Sequence, residues 1–381
     1  MSSWLLCERG DLHLAKMRIP LAKPFVCEEH IEAIKKVMHS GRFISGEETR
    51  AFEDEFARAI GTKYAVATSS GTAALHLAVL ACEIGEGDEV ITASHTFIAT
   101  VESIWHVGAK PRLAEVDESY YTIDPESVEK LISKKTRAII PVHIYGHPAD
   151  MDALVELAER NNLTIIEDAA QAHGSQYKER LVGTLGDVAC FSFFPSKNLT
   201  VCGDGGILVT NDEDISQKAK MLRDHGRKDR YSSAMLGYNY RLSEIASAIG
   251  RVSLRHLADW NTKRREIARS YTEALSNESD IMTPQEATWA HHVYHVYAIR
   301  SPNRQSLREW LMNNGIETGL HYPIPCHAQP IYRDLEGDVT LPRTERICRE
   351  VLSLPIHPEM TDADVEYVTS SVRQFNDNVS R

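Results

Sequence analysis

Residues 164–211 read TIIEDAAQAHGSQYKERLVGTLGDVACFSFFPSKNLTVCGDGGILVTN, and this stretch decides the fold that the sequence predicts. Its first apolar run ends at an acidic pair, Glu167 and Asp168, which is typical of a buried strand that stops at the edge of a sheet. A second run ends in aromatic residues, and Lys197 follows it, 29 residues after Asp168. Pyridoxal phosphate (PLP) chemistry needs such a pair, because a lysine forms a Schiff base and a carboxylate keeps the pyridine nitrogen protonated. The pair permits this chemistry but does not demand it.

The length and composition are those of an ordinary folded protein. A chain of 381 residues can form one large and one smaller domain, or two of middling size. The 54 acidic and 42 basic residues give a net charge of −12, which argues against a nucleic-acid-binding protein, since phosphate backbones attract basic faces. The seven cysteines are scattered and show no CxxC motif, so we expect reduced thiols and no metal site.

The N-terminus carries no pattern that predicts export or membrane insertion. Its apolar residues are too few for a signal peptide, and no apolar run approaches the ~20 residues that span a bilayer. We therefore expect a cytoplasmic protein that binds neither membrane nor nucleic acid. Residues 1–16 are predicted to be an extension, and Met17 is an alternative start of translation.

From Tyr64 onward, apolar runs of strand length alternate with segments of helical spacing. This alternation predicts an α/β fold, with a mostly parallel sheet covered by helices on both faces. Ligands of such sheets bind beyond the carboxyl ends of the strands. Ser70, Asp168 and Lys197 all fall at such positions, so we expect them to meet at one site.

The pattern changes after residue 211. Residues 224–240 are polar and contain glycine, which is typical of a long functional loop. Residues 242–274 have the spacing of one or two long helices that cross to a second domain. We predict a large domain from 17 to 250, with N-terminal helices at 28–40 and 48–60, and a smaller C-terminal α+β domain from 251 to 381.

Both members of the Asp168–Lys197 pair also have an ordinary interpretation. Most lysines lie on the surface, but Lys197 stands between aromatic residues and a glycine-rich turn and is expected to be buried. Burial lowers the pKa of a lysine and makes it a usable nucleophile. Asp168 could instead cap a following helix, which is a common role of aspartate. We interpret Glu167 as structural and Gln171 as a partner of a ring hydroxyl in the same pocket.

A phosphate site is predicted where Ser70, Gly71 and Thr72 open a helix. Backbone N–H groups and the helix dipole favour a phosphate dianion there, and hydroxyl groups add donors. The same tripeptide is often only an N-cap. Ser192 is a further candidate for the phosphate. Phe97 is a candidate to stack on the pyridine ring, and an ordinary core aromatic is the alternative.

From about Ile19 to the C-terminus the sequence resembles the DegT/DnrJ/EryC1/StrS family of PLP-dependent sugar aminotransferases. The resemblance rests on eight motifs: SGTAAL (70–75), GDEVI (87–91), TFIAT (96–100), PVHIYG (141–146), EDAAQAHG (167–174), FSFFPSKNL (191–199), GYNYRLSE (237–244) and HYPIP (321–325). None is specific alone, but the set is. It implies aminotransferase fold type I, with a seven-stranded, mostly parallel sheet in the large domain.

The resemblance also implies roles for the residues that match. Lys197 would carry the Schiff base and shuttle a proton between the substrate carbon and C4′ of the cofactor. Asp168 would pair with the pyridinium, with Gln171 near the ring hydroxyl and Phe97 stacked on the ring. The phosphate would be held by Ser70, Gly71 and Thr72 at the helix start and by Ser192, which lies in the apolar run before Lys197.

The remaining implied roles concern a second subunit and the substrate. Asn239 matches an asparagine that completes the phosphate site of the neighbouring subunit, so the resemblance implies a homodimer with a composite active site. His321 and Tyr322 match the segment near the sugar, although a proline-stiffened turn is the alternative. The chain departs from the family at His95 and at residues 326–329, and we expect both departures to contact the substrate.

The implied reaction moves an amino group from L-glutamate, through the pyridoxamine phosphate (PMP) form, to a keto sugar. The sugar would be carried on a nucleotide such as dTDP and aminated at position 3 or 4, and the HYPIP motif favours 3-keto-6-deoxy sugars. A keto-inositol aminotransferase is the main alternative. Some relatives are sugar 3-dehydratases in which histidine replaces the lysine, and Lys197 argues against that reaction. A non-catalytic regulator would have no need to keep the lysine, the acid and the phosphate donors together.

Overall fold

The computed structural model describes residues 19–379 and has an α/β architecture. The predicted extension at 1–16 and the alternative start at Met17 lie outside these residues. The helices in chain order are α1 (Glu28–Ser40), α2 (Glu47–Ile60), α3 (Gly71–Ala81), α4 (Ile98–Trp105), α5 (Pro125–Leu131), α6 (Met151–Asn161), α7 (Glu213–Arg223), α8 (Glu244–Leu275), α9 (Arg304–Asn313), α10 (Pro330–Glu336), α11 (Pro342–Glu350) and α12 (Asp362–Val379).

Short strands alternate with the first helices. They are β1 (Tyr64–Thr68), β2 (Glu89–Ala93), β3 (Lys110–Ala114), β4 (Thr136–Ile140), β5 (Thr164–Asp168), β6 (Gln176–Tyr177), β7 (Arg180–Leu181), β8 (Val188–Ser192), β9 (Gly206–Thr210), β10 (Ala290–His291), β11 (Tyr297–Arg300) and β12 (Val351–Leu354). In the described part of the chain the main sheet has seven strands, in the order β1-β9-β8-β5-β4-β2-β3. Strand β9 runs against its neighbours β1 and β8, and the other pairs are parallel. The predicted fold class is confirmed.

Local sequence signals explain where the first helices end and where the longest one begins. Gly41 and Gly61 follow α1 and α2 with φ of 66° and 92°, a left-handed conformation that glycine adopts without a steric cost. Ser243 caps α8, because its side chain accepts the N–H of Ala246. Residues 242–274, predicted as one or two helices, form the single helix α8 and its N-cap.

The hydrophobic core contains a large cluster of buried residues and a C-terminal cluster, and α8 connects the two clusters. In the large cluster the rings of Phe52, Phe56, Phe191 and Phe193 pack with centroids 5.2 to 5.9 Å apart, so the aromatic run before Lys197 is core. The second cluster joins the C-terminal half of α8 to β11, β12 and α12. It supports a smaller C-terminal domain. The boundary at 250, which lies within α8, remains a prediction.

The C-terminal third shows where sequence patterns were least informative. The predicted strand at 293–300 begins only at Tyr297, and the preceding residues form a loop. The proline-rich residues 319–332 run into α10, and α11 and β12 had no prediction. Across residues 19–379, no helix combines the length and the apolar character that a membrane span requires.

Candidate active site

A cavity of about 450 Å³ lies beyond the carboxyl ends of the parallel strands. The topology brings β1, β8 and β5 close together, and the loops that follow them meet at this edge. Ten of the eleven residues predicted for the site line the cavity: Ser70, Gly71, Thr72, Phe97, Asp168, Gln171, Ser192, Lys197, His321 and Tyr322. The eleventh, Asn239, is exposed on the loop before α8 and does not line the cavity of its own chain.

Asp168 is the last residue of β5 and is buried. Its Oδ2 atom accepts a hydrogen bond from Thr100 Oγ1 at 2.7 Å, and Oδ1 accepts the N–H of Ala170 at 3.2 Å. No helix begins after Asp168 in the described structure, so the helix-cap interpretation is wrong. Burial raises the pKa of Asp168, whereas the two hydrogen bonds and the charge of Lys197 oppose that rise.

Lys197 lies in the turn after β8, and its side chain faces the same cavity. Its N–H donates to Phe194 O at 2.8 Å. The next residue, Asn198, is anchored to Asn261 Oδ1 at 2.8 Å and to Val293 O at 3.0 Å. Burial lowers the pKa of Lys197 to about 8, and the carboxylate of Asp168 acts in the opposite direction. About a tenth of the amine is therefore unprotonated at pH 7, far more than for an ordinary lysine, and the unprotonated form is the nucleophile.

The N-terminus of α3 forms the wall beside β8. Ser70 is its N-cap, because Ser70 Oγ accepts the N–H of Ala73 at 3.0 Å, and the first N–H groups of a helix have no partner inside it. A Cβ atom on Gly71 would lie 2.7 Å from Cβ of Ser192, so glycine allows the helix to approach the strand this closely. Ser70 thus has its predicted capping role and also lines the site for an anion at the helix start.

Two residues shape the opposite wall. Phe97 is 54% exposed, so the alternative of a core aromatic is wrong, and its ring lies 5.7 Å from that of Tyr322, tilted by 40°. Gln171 accepts the N–H of Tyr145 on Oε1 at 2.6 Å and donates from Nε2 to Tyr322 OH at 3.2 Å. The amide orientation of Gln171 is therefore set by both neighbours.

The structural role predicted for Glu167 is supported by its hydrogen bonds. Its buried carboxylate accepts the N–H groups of Gly183, Leu185 and Gly186 at 2.8 to 2.9 Å and lies 3.1 Å from His143 Nε2. These bonds tie β5 to the loop before β8. Glu167 faces away from the cavity that Asp168 lines.

The two departures from the family motif do not line the cavity, so the expected substrate contacts are wrong for this chain. His95 is buried, with Nε2 2.6 Å from Tyr145 OH and Nδ1 3.1 Å from Cys348 Sγ. Cys326 is also buried, and its Sγ donates to Thr96 O at 3.4 Å. Both side chains support the cavity wall from behind.

Sequence reasoning missed eleven residues that line the cavity, among them Thr100 and His295. Thr100 holds Asp168, and its place as the last residue of the TFIAT motif was an available signal. His295 lies in the loop before β11, where the sequence predicted a strand. Burial and the charge of Lys197 push the pKa of His295 well below its usual value, so its imidazole is neutral.

The side chains around the cavity fit PLP. The start of α3 suits its phosphate, Asp168 its pyridinium nitrogen, Phe97 its ring face and Lys197 its aldehyde. Residues 25–373 match the sequence model of the DegT/DnrJ/EryC1/StrS aminotransferase family. The chain belongs to this family. It is therefore an aminotransferase with PLP as its cofactor, as the sequence predicted.

Among curated proteins, the chain is 44% identical over 350 residues to dTDP-3-amino-3,4,6-trideoxy-alpha-D-glucose transaminase of Streptomyces venezuelae, covering 92% of both chains. It is 42% identical over 352 residues to a Geobacillus stearothermophilus protein named pleiotropic regulatory protein, covering 91% of this chain and 94% of that one. Among solved structures, S. venezuelae DesV in complex with a ketimine intermediate gives a TM-score of 0.89 at 44% identity, covering 91% and 94% of the two chains.

Two more distant structures in the family fold are described with their cofactor. Spr1654 of Streptococcus pneumoniae in its PLP form has a TM-score of 0.90 at 25% identity, covering 95% of this chain and 99% of that one. NtdA of Bacillus subtilis with bound PMP has a TM-score of 0.86 at 29% identity, covering 95% and 87% of the two chains. PLP and PMP are the two forms that an aminotransferase alternates between.

Proposed function

We propose that the chain transfers an amino group from L-glutamate to a nucleotide-linked keto sugar, of the dTDP-linked 3- or 4-keto-6-deoxy type. The observation that carries the proposal is the shared cavity of Asp168 and Lys197, with the start of α3 beside them. The names of the S. venezuelae transaminase and of a dTDP-3-amino-3,6-dideoxy-alpha-D-galactopyranose transaminase from Aneurinibacillus thermoaerophilus support the substrate class. The reaction would take place in the cytoplasm.

PLP supplies an aldehyde that condenses with amines and a ring that accepts electrons from the substrate carbon. Asp168 keeps a proton on the ring nitrogen, because a buried carboxylate is stabilised by a positive partner. Thr100 and the N–H of Ala170 hold that carboxylate in place. Lys197 Nζ takes a proton from the donor carbon and returns one on the acceptor side, which its lowered pKa allows near neutral pH.

The phosphate would be bound by the first N–H groups of α3 with the hydroxyl groups of Thr72 and Ser192. We propose that Asn239 of a second copy completes this site in a homodimer. Asn239 is exposed and outside its own cavity, and nearby exposed apolar side chains support a contact between copies. Tyr231 and Leu236 of the same loop are 88% and 85% exposed, and Ile44 is 52% exposed.

The sugar would enter past His321 and Tyr322. Tyr322 OH accepts from Gln171 Nε2, so the substrate-side wall contacts the residue placed near the ring hydroxyl. Burial lowers the pKa of His321 to about 4, which leaves a neutral imidazole that suits hydroxyl groups better than anions. A keto-inositol also carries hydroxyl groups beside its ketone and remains the main alternative acceptor.

Catalysis is favoured over regulation because the cofactor residues are complete. The G. stearothermophilus relative carries a regulatory name, but the cavity of this chain keeps the lysine, the carboxylate and the anion site together. Lys197 also argues against sugar dehydration, the reaction of relatives in which histidine replaces this lysine.

The test is an activity screen of purified, PLP-loaded protein. Keto nucleotide sugars and keto-inositols are each offered with L-glutamate or L-glutamine, and the amino product is identified by mass spectrometry. Amination of a dTDP-linked keto sugar with formation of 2-oxoglutarate is the expected result. Amination of keto-inositols alone would replace the proposed acceptor, and loss of water without amine transfer would overturn the proposed reaction.

A further inference from the structure

A group of metal-binding side chains lies away from the cavity, where α1 begins beside α8. Cys27, Glu29 and His256 each offer a ligand atom, and the three atoms lie within 4.8 Å of one another. Cys27 and Glu29 are at the start of α1, and His256 lies within α8, 227 residues later in the chain. We propose that these side chains form a zinc site that fastens α1 to α8.

The donor set is the one that zinc prefers. Thiolate, imidazole and carboxylate all bind Zn²⁺, and three protein ligands leave the fourth tetrahedral position for water. With zinc–ligand distances of ~2.0–2.3 Å, neighbouring ligands stand ~3.5 Å apart. Side-chain rotations that move the ligand atoms by about 1 Å would therefore bring the three atoms into a tetrahedral arrangement.

His256 supplies an independent observation. Its Nε2 atom is buried, and no hydrogen bond reaches it from the described residues. Glu29 Oε1 lies 3.6 Å from this nitrogen, which is too far for a hydrogen bond but close enough for both atoms to bind one ion. The imidazole ring is stacked on Trp260, with centroids 5.6 Å apart and planes 20° apart, and this contact holds its orientation.

Neighbouring side chains contact the proposed ligands. Arg255 Nη2 donates to Glu29 Oε2 at 2.9 Å, which fixes the carboxylate while Oε1 faces His256. His30 Nδ1 lies 3.2 Å from Cys27 Sγ and accepts the N–H of Cys27 at 3.1 Å, while His30 Nε2 lies 3.2 Å from Ser253 Oγ. The Arg255 contact orients the carboxylate, as neighbours of metal ligands do. The charge of Arg255 opposes a cation, and the thiolate and carboxylate together outweigh it.

The site has an entry path. A cleft between α1, α2 and α8 is lined by three carboxylates and three cations, and Arg251 is paired with Glu48 at 2.6 Å; the charged residues are Glu29, Glu32, Glu48, Lys36, Arg251 and Arg255. Glu29 is the ligand that this cleft shares with the proposed site. Glu29 is exposed, so a hydrated cation can reach this ligand from solvent while the fold stays intact.

The sequence predicted no metal site, because the cysteines lack CxxC spacing. The proposed ligands are joined by packing of α1 on α8, and no local spacing encodes that contact. The site is independent of the transamination chemistry, so its test does not depend on enzyme activity.

The experiment uses full-length, untagged, PLP-loaded protein freed of metal with a chelator and titrated with ZnCl₂. One equivalent of zinc should bind, and the zinc X-ray absorption spectrum should show one sulfur at ~2.3 Å among nitrogen and oxygen ligands. Cys27→Ser and His256→Gln should each weaken binding at least tenfold and remove the sulfur or imidazole signal. His39→Gln and Cys202→Ser are matched controls that should bind zinc as the parent does.

Thermal unfolding of each variant without metal checks that the fold is kept, and only the parent and the controls should gain stability on adding zinc. A spectrum without sulfur would overturn the proposal. Binding that is absent, or that Cys27→Ser and His256→Gln leave unchanged, would also overturn it.

Discussion

Replacing Thr100 by valine tests the support of the cofactor carboxylate. Thr100 is buried, and its hydroxyl donates to Asp168 Oδ2 at 2.7 Å. Since that hydroxyl has one proton, Thr96 must be the donor in the 2.9 Å contact between Thr96 and Thr100. Valine keeps the shape of threonine and removes the donor, which leaves Asp168 with the N–H of Ala170 at 3.2 Å.

The expected magnitude follows from the charge of the acceptor. A hydrogen bond to a charged group contributes about 1.5–3 kcal/mol, and 1.4 kcal/mol corresponds to a factor of ten in affinity. Burial already raises the pKa of Asp168, and losing the Thr100 bond raises it further. The carboxylate then takes up a proton more easily, and it must lose this proton before it can pair with the pyridinium. Affinity for PMP should fall about 10- to 100-fold, and more at pH 6 than at pH 8.

The measurement is a PMP titration of the apoprotein, followed by calorimetry at both pH values. PMP is used because it forms no covalent bond to Lys197, so the titration reports the non-covalent contacts alone. Thr100→Ser restores the donor and should restore most of the affinity. Thr96→Val removes a hydroxyl that does not contact Asp168, and it should change the affinity far less. If Thr100→Val binds PMP like the parent protein at both pH values, the proposed support of Asp168 by Thr100 is wrong.

Three further predictions concern the roles proposed for the site. Lys197→Ala should abolish the visible absorbance of bound PLP. In the parent apoprotein, the rate of PLP uptake should rise with pH through about 8, since only the unprotonated amine reacts. A midpoint of this rise near 10.5, the ordinary lysine value, would contradict the effect of burial on the pKa of Lys197. Asp168→Asn should bind PLP weakly and lose at least ~10³-fold in turnover, because the amide cannot hold the ring nitrogen protonated; near-normal turnover in a stopped assay would exclude this role. Mixing inactive Lys197→Ala and Asn239→Ala chains should restore about a quarter of parental activity. Random reassortment makes about half of the dimers hybrids, and each hybrid has one intact site out of two. Mixtures without any gain in activity would show that Asn239 does not act across the interface.

The parts of the fold that were predicted from sequence are those encoded by local patterns. Strands β1, β2 and β5 and helix α1 follow apolar runs and glycine stops, and their predicted positions agree with the structure. The rule that strand ends carry ligands then placed Asp168, Lys197 and the start of α3 together. Contacts between distant segments were not encoded locally. The loop that holds His295 is bonded by Arg264 of α8, whose Nη1 donates to His295 O at 3.4 Å. The buried position of His95 depends on Cys348, 253 residues away.

The two walls of the cavity are held by different parts of the molecule, and this separation bears on specificity. Asp168, Ser192 and the start of α3 are attached to the main sheet, where β5 and β8 pair directly. His321 is tied to β12, because its Nδ1 lies 2.8 Å from Ser353 Oγ on that strand. Tyr145 bridges the two walls, since its N–H donates to Gln171 and its hydroxyl donates to His321 O. Changes in the segment near His321 can therefore alter the sugar that is accepted while the cofactor residues stay in place. Substitutions at Tyr145 should disturb both walls together, so they should affect cofactor affinity and sugar selectivity at once.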